Sequence, residues 1–420
     1  MTYQIYTLGC KVNEYESEVI ADILEKNGYK KNDRPDICIV NTCTVTNTAD
    51  SKSRKIIRSL KRKYPNCIMV VVGCLIQNSI KKTDDLDIDI AIGNKDKTKI
   101  VDYIKEYKNK QIKKIYNISD MDFENMQIEK FKLTRAYIKI QDGCDNYCSF
   151  CIIPYVRGHV RSKAKENVIK EAQALVKNGH KEIVLTGIHT GNYHDQNYTF
   201  SDLLNDLIKI KGLERLRISS IEMNEIDKNV LEILKQSPIL VNHMHIPIQS
   251  GSNTILKAMN RKYSVEQFKE KIDKIRKIRP NMNLTTDVIV GFPGETDELF
   301  EETIKTLKEI KFTKLHVFPY SKREGTKAAK MENQVDEKIK KERVKTLLEL
   351  SKKQEKEYAE KFINKKGYFL PEIYKDGYLI GHTENYLLIK AKGPKKFINK
   401  IIKVKNIELD YPYIIGKIES

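Results

Sequence analysis

Eight cysteines stand at positions 10, 38, 43, 67, 74, 144, 148 and 151, and none occurs in the rest of the 420-residue chain. The opening Met1-Thr-Tyr-Gln-Ile-Tyr has neither the basic start nor the apolar core of a secretory signal. The thiols therefore read as metal or redox groups of a cytoplasmic protein, not as a disulfide framework. Three of them, Cys144, Cys148 and Cys151, fall within eight residues. Thiolates that close together on one loop can hold three corners of a cubane iron–sulfur cluster and leave the fourth iron open. A zinc site of these three with His159 is the alternative, although structural zinc usually shows paired two-residue spacings.

Cys10, Cys43 and Cys74 are separated by about thirty residues each and form no local motif. Their placement relative to the strands is what joins them. Apolar runs at 3–8, 37–41, 68–72 and 88–92 alternate with amphipathic helical patterns at 13–27 and 46–64. That alternation predicts a doubly wound parallel sheet, whose strands lie about 4.8 Å apart and end on one rim. Each of the three cysteines follows a predicted strand, so the topology can bring them to one metal site. Cys38 lies inside a strand and Cys67 opens one, and both read as buried small hydrophobes.

A second alternation starts at Ala136, with strands predicted at 137–140, 182–186, 215–219, 243–248, 284–290 and 314–318. Six β/α units make a partial parallel barrel, with the Cys144 loop at the carboxyl end of its first strand, where such barrels place their chemistry. Residues 108–132 are polar and weakly patterned and read as a linker. A Lys/Glu helix covers 333–362. Beyond it, short strands with Gly, Asn and Pro turns predict a small all-β barrel. His243 and His245 share one face of a strand and read as core or pocket lining.

The chain carries 76 Lys+Arg against 57 Asp+Glu, a formal charge of +19. That excess suits a polyanionic partner such as nucleic acid. It is concentrated on the helix after Cys43, with Lys52, Arg54, Lys55, Arg58, Lys61, Arg62 and Lys63, of which about half read as a solvated face, and in the tail, where of Tyr368, Phe369, Tyr378 and Tyr386 some could stack on bases while alternate ones must be core. No apolar stretch reaches the ~18 residues of a membrane span.

Cys144-Asp-Asn-Tyr-Cys148-Ser-Phe-Cys151 resembles the radical S-adenosylmethionine (SAM) signature. Gln141-Asp-Gly before it and Pro154-Tyr-Val-Arg157-Gly after it are similar to the methylthiotransferase branch of that family. So are Thr7-Leu-Gly-Cys10-Lys-Val-Asn, Asn41-Thr-Cys43 and Gly73-Cys74, and the tail segment Gly381-His-Thr-Glu-Asn-Tyr386 resembles the branch's terminal TRAM RNA-binding barrel. The resemblance implies an N-terminal auxiliary-cluster domain (1–112), a radical SAM barrel (130–355) and a TRAM domain (356–420). It implies two [4Fe-4S] clusters, one on Cys144, Cys148 and Cys151 that binds and cleaves SAM, the other on Cys10, Cys43 and Cys74 that carries sulfur. Glu222, Gln249 and Asp287 resemble residues of the SAM pocket. The sequence after Cys10 looks most like the enzymes that methylthiolate N6-threonylcarbamoyladenosine beside the tRNA anticodon, although Pro247 in His245-Ile-Pro-Ile-Gln249 departs from the pattern. The implied partners are a tRNA anticodon stem-loop and an electron donor such as flavodoxin or ferredoxin, without a membrane. Isopentenyladenosine in tRNA and a ribosomal-protein aspartate are the alternative targets, and an iron–sulfur or zinc RNA-binding regulator is the non-enzyme alternative.

Overall fold

The computed structural model describes residues 1–78 and 83–419, so residue 420, the expected end of the tail domain, lies outside it. The N-terminal unit is a six-stranded parallel sheet in the order β2-β1-β3-β4-β5-β6. Its strands are β1 (Thr2–Thr7), β2 (Lys30–Lys31), β3 (Ile37–Thr42), β4 (Ile68–Gly73), β5 (Ile90–Ile92) and β6 (Ile112–Lys114). All six residues of β3 are buried, and its Ile/Val content suits a central strand covered on both faces. Helix α1 (Lys11–Lys26) buries Tyr15, Val19 and Ile20, while α2 (Asn47–Lys63) is capped by the Thr46 hydroxyl, which accepts from Ala49 N–H at 3.1 Å.

The stretch expected to be a linker is packed structure. Ile112–Lys114 pairs with β5 as the sheet's last strand, and Met121, Met126, Ile128 and Phe131 are buried. Apolar residues spaced too irregularly for helix or strand periodicity still bury as an extended strap.

Six parallel strands follow as two three-stranded sheets: Ala136–Lys139, Glu182–Thr186 and Arg215–Ile218, then His243–His245, Asn283–Val290 and Lys314–Pro319. A parallel bridge between Leu216 and Leu240 joins them into one partial barrel. The fourth strand stops at His245, short of the expected 248, because Pro247 has no N–H for the ladder. The edge is kept by substitutes: Ile248 N–H donates to the Thr286 hydroxyl at 2.8 Å and Gln249 N–H to the Asp287 carbonyl at 2.9 Å. A helix over Glu337–Glu360 leads to a closed five-stranded barrel around Phe369, Leu379, Ile389, Val404 and Ile414. No helix among the described residues is long and apolar enough to cross a membrane.

Buried charge bolts the N-terminal unit to the parallel barrel. Glu16 of α1 meets Lys97 at 2.5 Å, Lys139 of the first barrel strand at 2.8 Å and Arg157 at 3.2 Å. Asp142 meets Lys139 at 2.6 Å and Arg157 at 3.1 Å. Tyr15 adds a hydrogen bond to Glu171 at 2.8 Å, and Arg323 reaches back to Asp50 at 2.6 Å. The rim of the first sheet is thereby held against the mouth of the second.

Candidate active site

The loop carrying Cys144, Cys148 and Cys151 leaves the first barrel strand through Gly143, whose φ is +75° and where a Cβ would overlap the His159 carbonyl. Only glycine fits that approach. Backbone bonds then fix the loop: Cys144 N–H to Gly158 O and Ser149 N–H to Met259 O, both at 3.0 Å. Burial pushes the Cys151 thiol up to about 12 and raises Cys148 as well. Thiols so placed become thiolates only when a cationic centre replaces their protons. His159, the fourth ligand of the zinc alternative, lies outside this group, 2.7 Å from Asp145 on the surface.

On the other side, Cys10, Cys43 and Cys74 sit on one rim, as their positions after β1, β3 and β4 predict. The register pairs Thr7 with Asn41 and Thr42 with Gly73, so Cys43 and Cys74 leave adjacent strand ends together. Gly9, at φ +113°, brings the Cys10 turn so close that a Cβ there would stand 2.8 Å from the Cys43 Cβ. Cys43 is pushed up to about 12, first by burial and then by Cys74 and Cys10. Three asparagines line this rim. Asn13 Oδ1 lies 3.7 Å from the Cys10 sulfur and accepts from Arg157 at 3.1 Å. Asn94 donates to the Cys74 sulfur at 3.5 Å and to the Val156 carbonyl at 2.8 Å, and Asn41 donates to the backbone of Asn13 at 3.0 Å. Cys38 and Cys67 lie away from the rim, buried among Val40, Ile57 and Met69.

The two cysteine groups share a wall: Cys74, Ile152, Ile153 and Val156 form one apolar cluster, with Cys144 and Cys151 packed against it. Among the described residues no three His, Cys, Asp or Glu side chains close around a single ion. A cubane takes one thiolate per iron and needs its sulfurs farther apart than one ion does. Each donor set offers three thiols beside a close-approach glycine, which suits such a cluster; neutral amides flank the rim set, and Arg261 and His189 the loop set.

The expected SAM-pocket residues divide. Glu222 pairs with Arg261, whose Nη1 also donates to the Cys148 sulfur at 3.3 Å, which ties it to the loop. Gln249 follows the fourth strand in a left-handed conformation (φ +65°), beside Asp287. The Asp287 carboxylate instead lies 3.3 Å from His245. Sequence reasoning missed Arg261, Asn94 and His189. His189 lies 3.8 Å from the Cys144 sulfur and pairs with Glu225; burial lowers its pKa, but these two partners outweigh it and raise the value to about 10. It ends the segment after the second barrel strand, so the strand-end rule that found Glu222 could have found it. The two features expected to contact RNA each divide. Arg54, Arg58 and Lys61 are turned onto Asp85 and Asp89, which lowers the free charge of α2. Of the tail aromatics, Phe369 is core and Tyr386 is stacked between His243 and His382, while Tyr368 and Tyr378 are exposed.

A partial parallel barrel with three cysteines on the loop after its first strand defines a radical SAM enzyme, and residues 138–307 match the radical SAM superfamily. Residues 2–93 match the uncharacterized protein family UPF0004. The chain is 46% identical to the threonylcarbamoyladenosine tRNA methylthiotransferase MtaB of Bacillus subtilis, over 99% of this chain and 96% of that protein. It is 37% identical to the protein of the same name from Aquifex aeolicus, over 95% and 98%. It is also 37% identical to a tRNA-2-methylthio-N(6)-dimethylallyladenosine synthase of Clostridium botulinum, over 98% and 96%. The chain belongs to the radical SAM tRNA methylthiotransferase family. The radical SAM methyltransferase TsrM of Kitasatospora setae shares the fold at a TM-score of 0.58 and 12% identity, over 75% of this chain and 72% of that one.

Proposed function

We propose that this enzyme converts N6-threonylcarbamoyladenosine, at position 37 beside the tRNA anticodon, to its 2-methylthio derivative. The observation that carries the reading is the meeting of two three-cysteine groups across one apolar wall, in a chain most of whose length aligns with enzymes of that name. Cys144, Cys148 and Cys151 would hold the cluster that binds SAM, and Cys10, Cys43 and Cys74 the second cluster. Bound there, the clusters and SAM supply radical cleavage of SAM and the sulfur that ends on C2. The protein's own part is positional. The Arg261–Glu222 pair stands beside Cys148, where a guanidinium can take the carboxylate of SAM. The Ile152, Ile153 and Val156 wall excludes water between the two centres.

The functional divisions read from the sequence, 1–112, 130–355 and 356–420, shift at their edges: the first sheet's last strand runs to Lys114, the strap 121–131 packs between the first two units, and the helix Glu337–Glu360 crosses from the second into the third. The partners that go with this reading are a tRNA anticodon stem-loop and a low-potential electron donor such as flavodoxin or ferredoxin, in the cytoplasm. Exposed Lys52, Lys55, Tyr368 and Tyr378 supply phosphate and base contacts for the RNA.

The test is anaerobic reconstitution followed by reaction with SAM, dithionite and anticodon stem-loop RNA. About eight irons per chain, release of 5′-deoxyadenosine and a methylthio product from the threonylcarbamoyl RNA support the reading. Product from isopentenyladenosine RNA alone transfers the enzyme to the other tRNA branch.

A further inference from the structure

Within the parallel barrel, toward the amino ends of its strands and against the C-terminal barrel, lies a cavity of about 250 Å³. An apolar cavity of about 150 Å³ takes up benzene, so this one has room for a substituent of about ten non-hydrogen atoms. Lys11, directly after Cys10, lines it from the N-terminal unit; Arg217, His243, His245 and Asn283 line it from the strands, and Tyr386 closes its lower end. The inward positions of neighbouring strands are thus polar where a packed barrel carries Val, Ile or Leu.

Several of these groups are buried without a partner. Arg217 is 2% exposed, and its Nη2 has no hydrogen-bond partner among the described residues; nor have His243 Nδ1 or Asn283 Oδ1. Most of the surrounding acids already face a cation. Glu182 takes Arg217 Nε at 2.7 Å, Glu372 takes Arg135 at 3.0 Å, Glu355 takes Lys314 at 3.1 Å and Asp287 lies 3.3 Å from His245. What remains is an ammonium, one free guanidinium N–H edge, an amide oxygen and the His243 Nδ1. The field is positive enough that, although burial pushes the Tyr386 phenol up, Arg135, Arg217 and Lys11 draw it below its ordinary value.

We propose that this lumen is the specificity pocket for the substrate's N6 substituent, with Arg217 and Lys11 taking the threonyl carboxylate and Asn283 Oδ1 the hydroxyl. The inference rests on the proposed function and adds to it the residues that choose the substrate. Threonylcarbamoyladenosine brings one anion and one hydroxyl, which match the unpartnered groups. An isopentenyl group brings neither and would leave a buried cation and amide unsatisfied, which is how polar sites reject apolar analogues. Lys11 sits beside Cys10, so a substituent held here keeps the base near the sulfur-bearing rim.

Binding by the anaerobically reconstituted enzyme tests this, read as fluorescence anisotropy with three stem-loop RNAs carrying threonylcarbamoyladenosine, its carboxamide analogue or isopentenyladenosine. The wild-type protein is expected to bind the carboxylate RNA about 10- to 100-fold tighter than the carboxamide RNA, the range for a hydrogen-bonded charge. In Arg217→Gln and Lys11→Gln that preference should collapse to the carboxamide level, with affinity for the carboxamide RNA kept and iron content checked. Because Arg217→Gln strands Glu182, the Glu182→Gln/Arg217→Gln double variant provides a neutral version of the same change. Equal weakening toward all three RNAs, or a wild-type enzyme indifferent to the carboxamide, overturns the assignment. The two readings fail separately. Methylthio product from isopentenyl RNA alone defeats the function, whereas product from the threonylcarbamoyl RNA without carboxylate preference defeats only the pocket.

Discussion

The two cysteine groups hold the same number of sulfurs by opposite means. The Cys144 loop is compact in sequence: eight residues and a glycine at φ +75° set it, and hydrogen bonds to Gly158 O and to Met259 O, from a distant turn, anchor it. The Cys10, Cys43 and Cys74 rim is built by sheet register over 65 residues of sequence, and contacts such as those of Glu16, Asp142 and Tyr15 dock it against its counterpart. A local site is vulnerable at its loop, and a distributed one at its sheet and its docking contacts.

The strongest way to separate them is to remove one sulfur from each. Cys148→Ala should abolish release of 5′-deoxyadenosine while iron at the N-terminal rim persists; Cys43→Ala should keep that release and lose all methylthio product, both read by nucleoside mass spectrometry. Next come the glycines. Gly143→Ala should strip the loop site, and Gly9→Ala, with its Cβ at 2.8 Å from Cys43, the rim site. Each should lower iron per anaerobic chain from about eight to about four.

Docking gives a smaller, quantitative contrast. Glu16→Gln leaves Lys97, Lys139 and Arg157 short of a counter-charge and should cost roughly 3–5 kcal/mol of stability, measured by denaturant unfolding. Burial alone would raise the Asp142 carboxyl, but Arg157, Lys139 and Arg161 hold it well below its ordinary value. Its stabilising share is therefore complete above the unfolded value of about 3.9 and is lost as pH falls toward the folded one. The unfolding midpoint should thus drop steeply below about pH 4, less so in Asp142→Asn. Smallest of all, Cys38→Ser puts a hydroxyl among apolar neighbours and should cost about 1–3 kcal/mol with no loss of iron.

The contrast also explains what the sequence could reveal. The loop triad is legible as spacing, and the rim triad as three strand ends, because strand positions follow from Ile/Val runs such as those of β3 and β4. Arg261 escaped notice because its link to Cys148 and Glu222 spans 113 and 39 residues without periodicity. The strap at 121–131 has apolar residues but no repeat, so nothing local distinguishes it from a linker. The pairing of the basic face of α2 was not legible because its acids, Asp85 and Asp89, arrive from a later turn of the chain. The lumen was half visible: His243 and His245 marked one polar strand face, but Arg217 and Asn283 gain meaning only when the barrel curls them onto the same axis.

The short helix Ile153–Arg157 belongs to both halves of the molecule. It begins two residues after Cys151, and its far end gives the Val156 carbonyl to Asn94 and the Arg157 guanidinium to Glu16 and Asn13. Displacing this one helix would therefore disturb both donor sets at once, which no single cysteine substitution does.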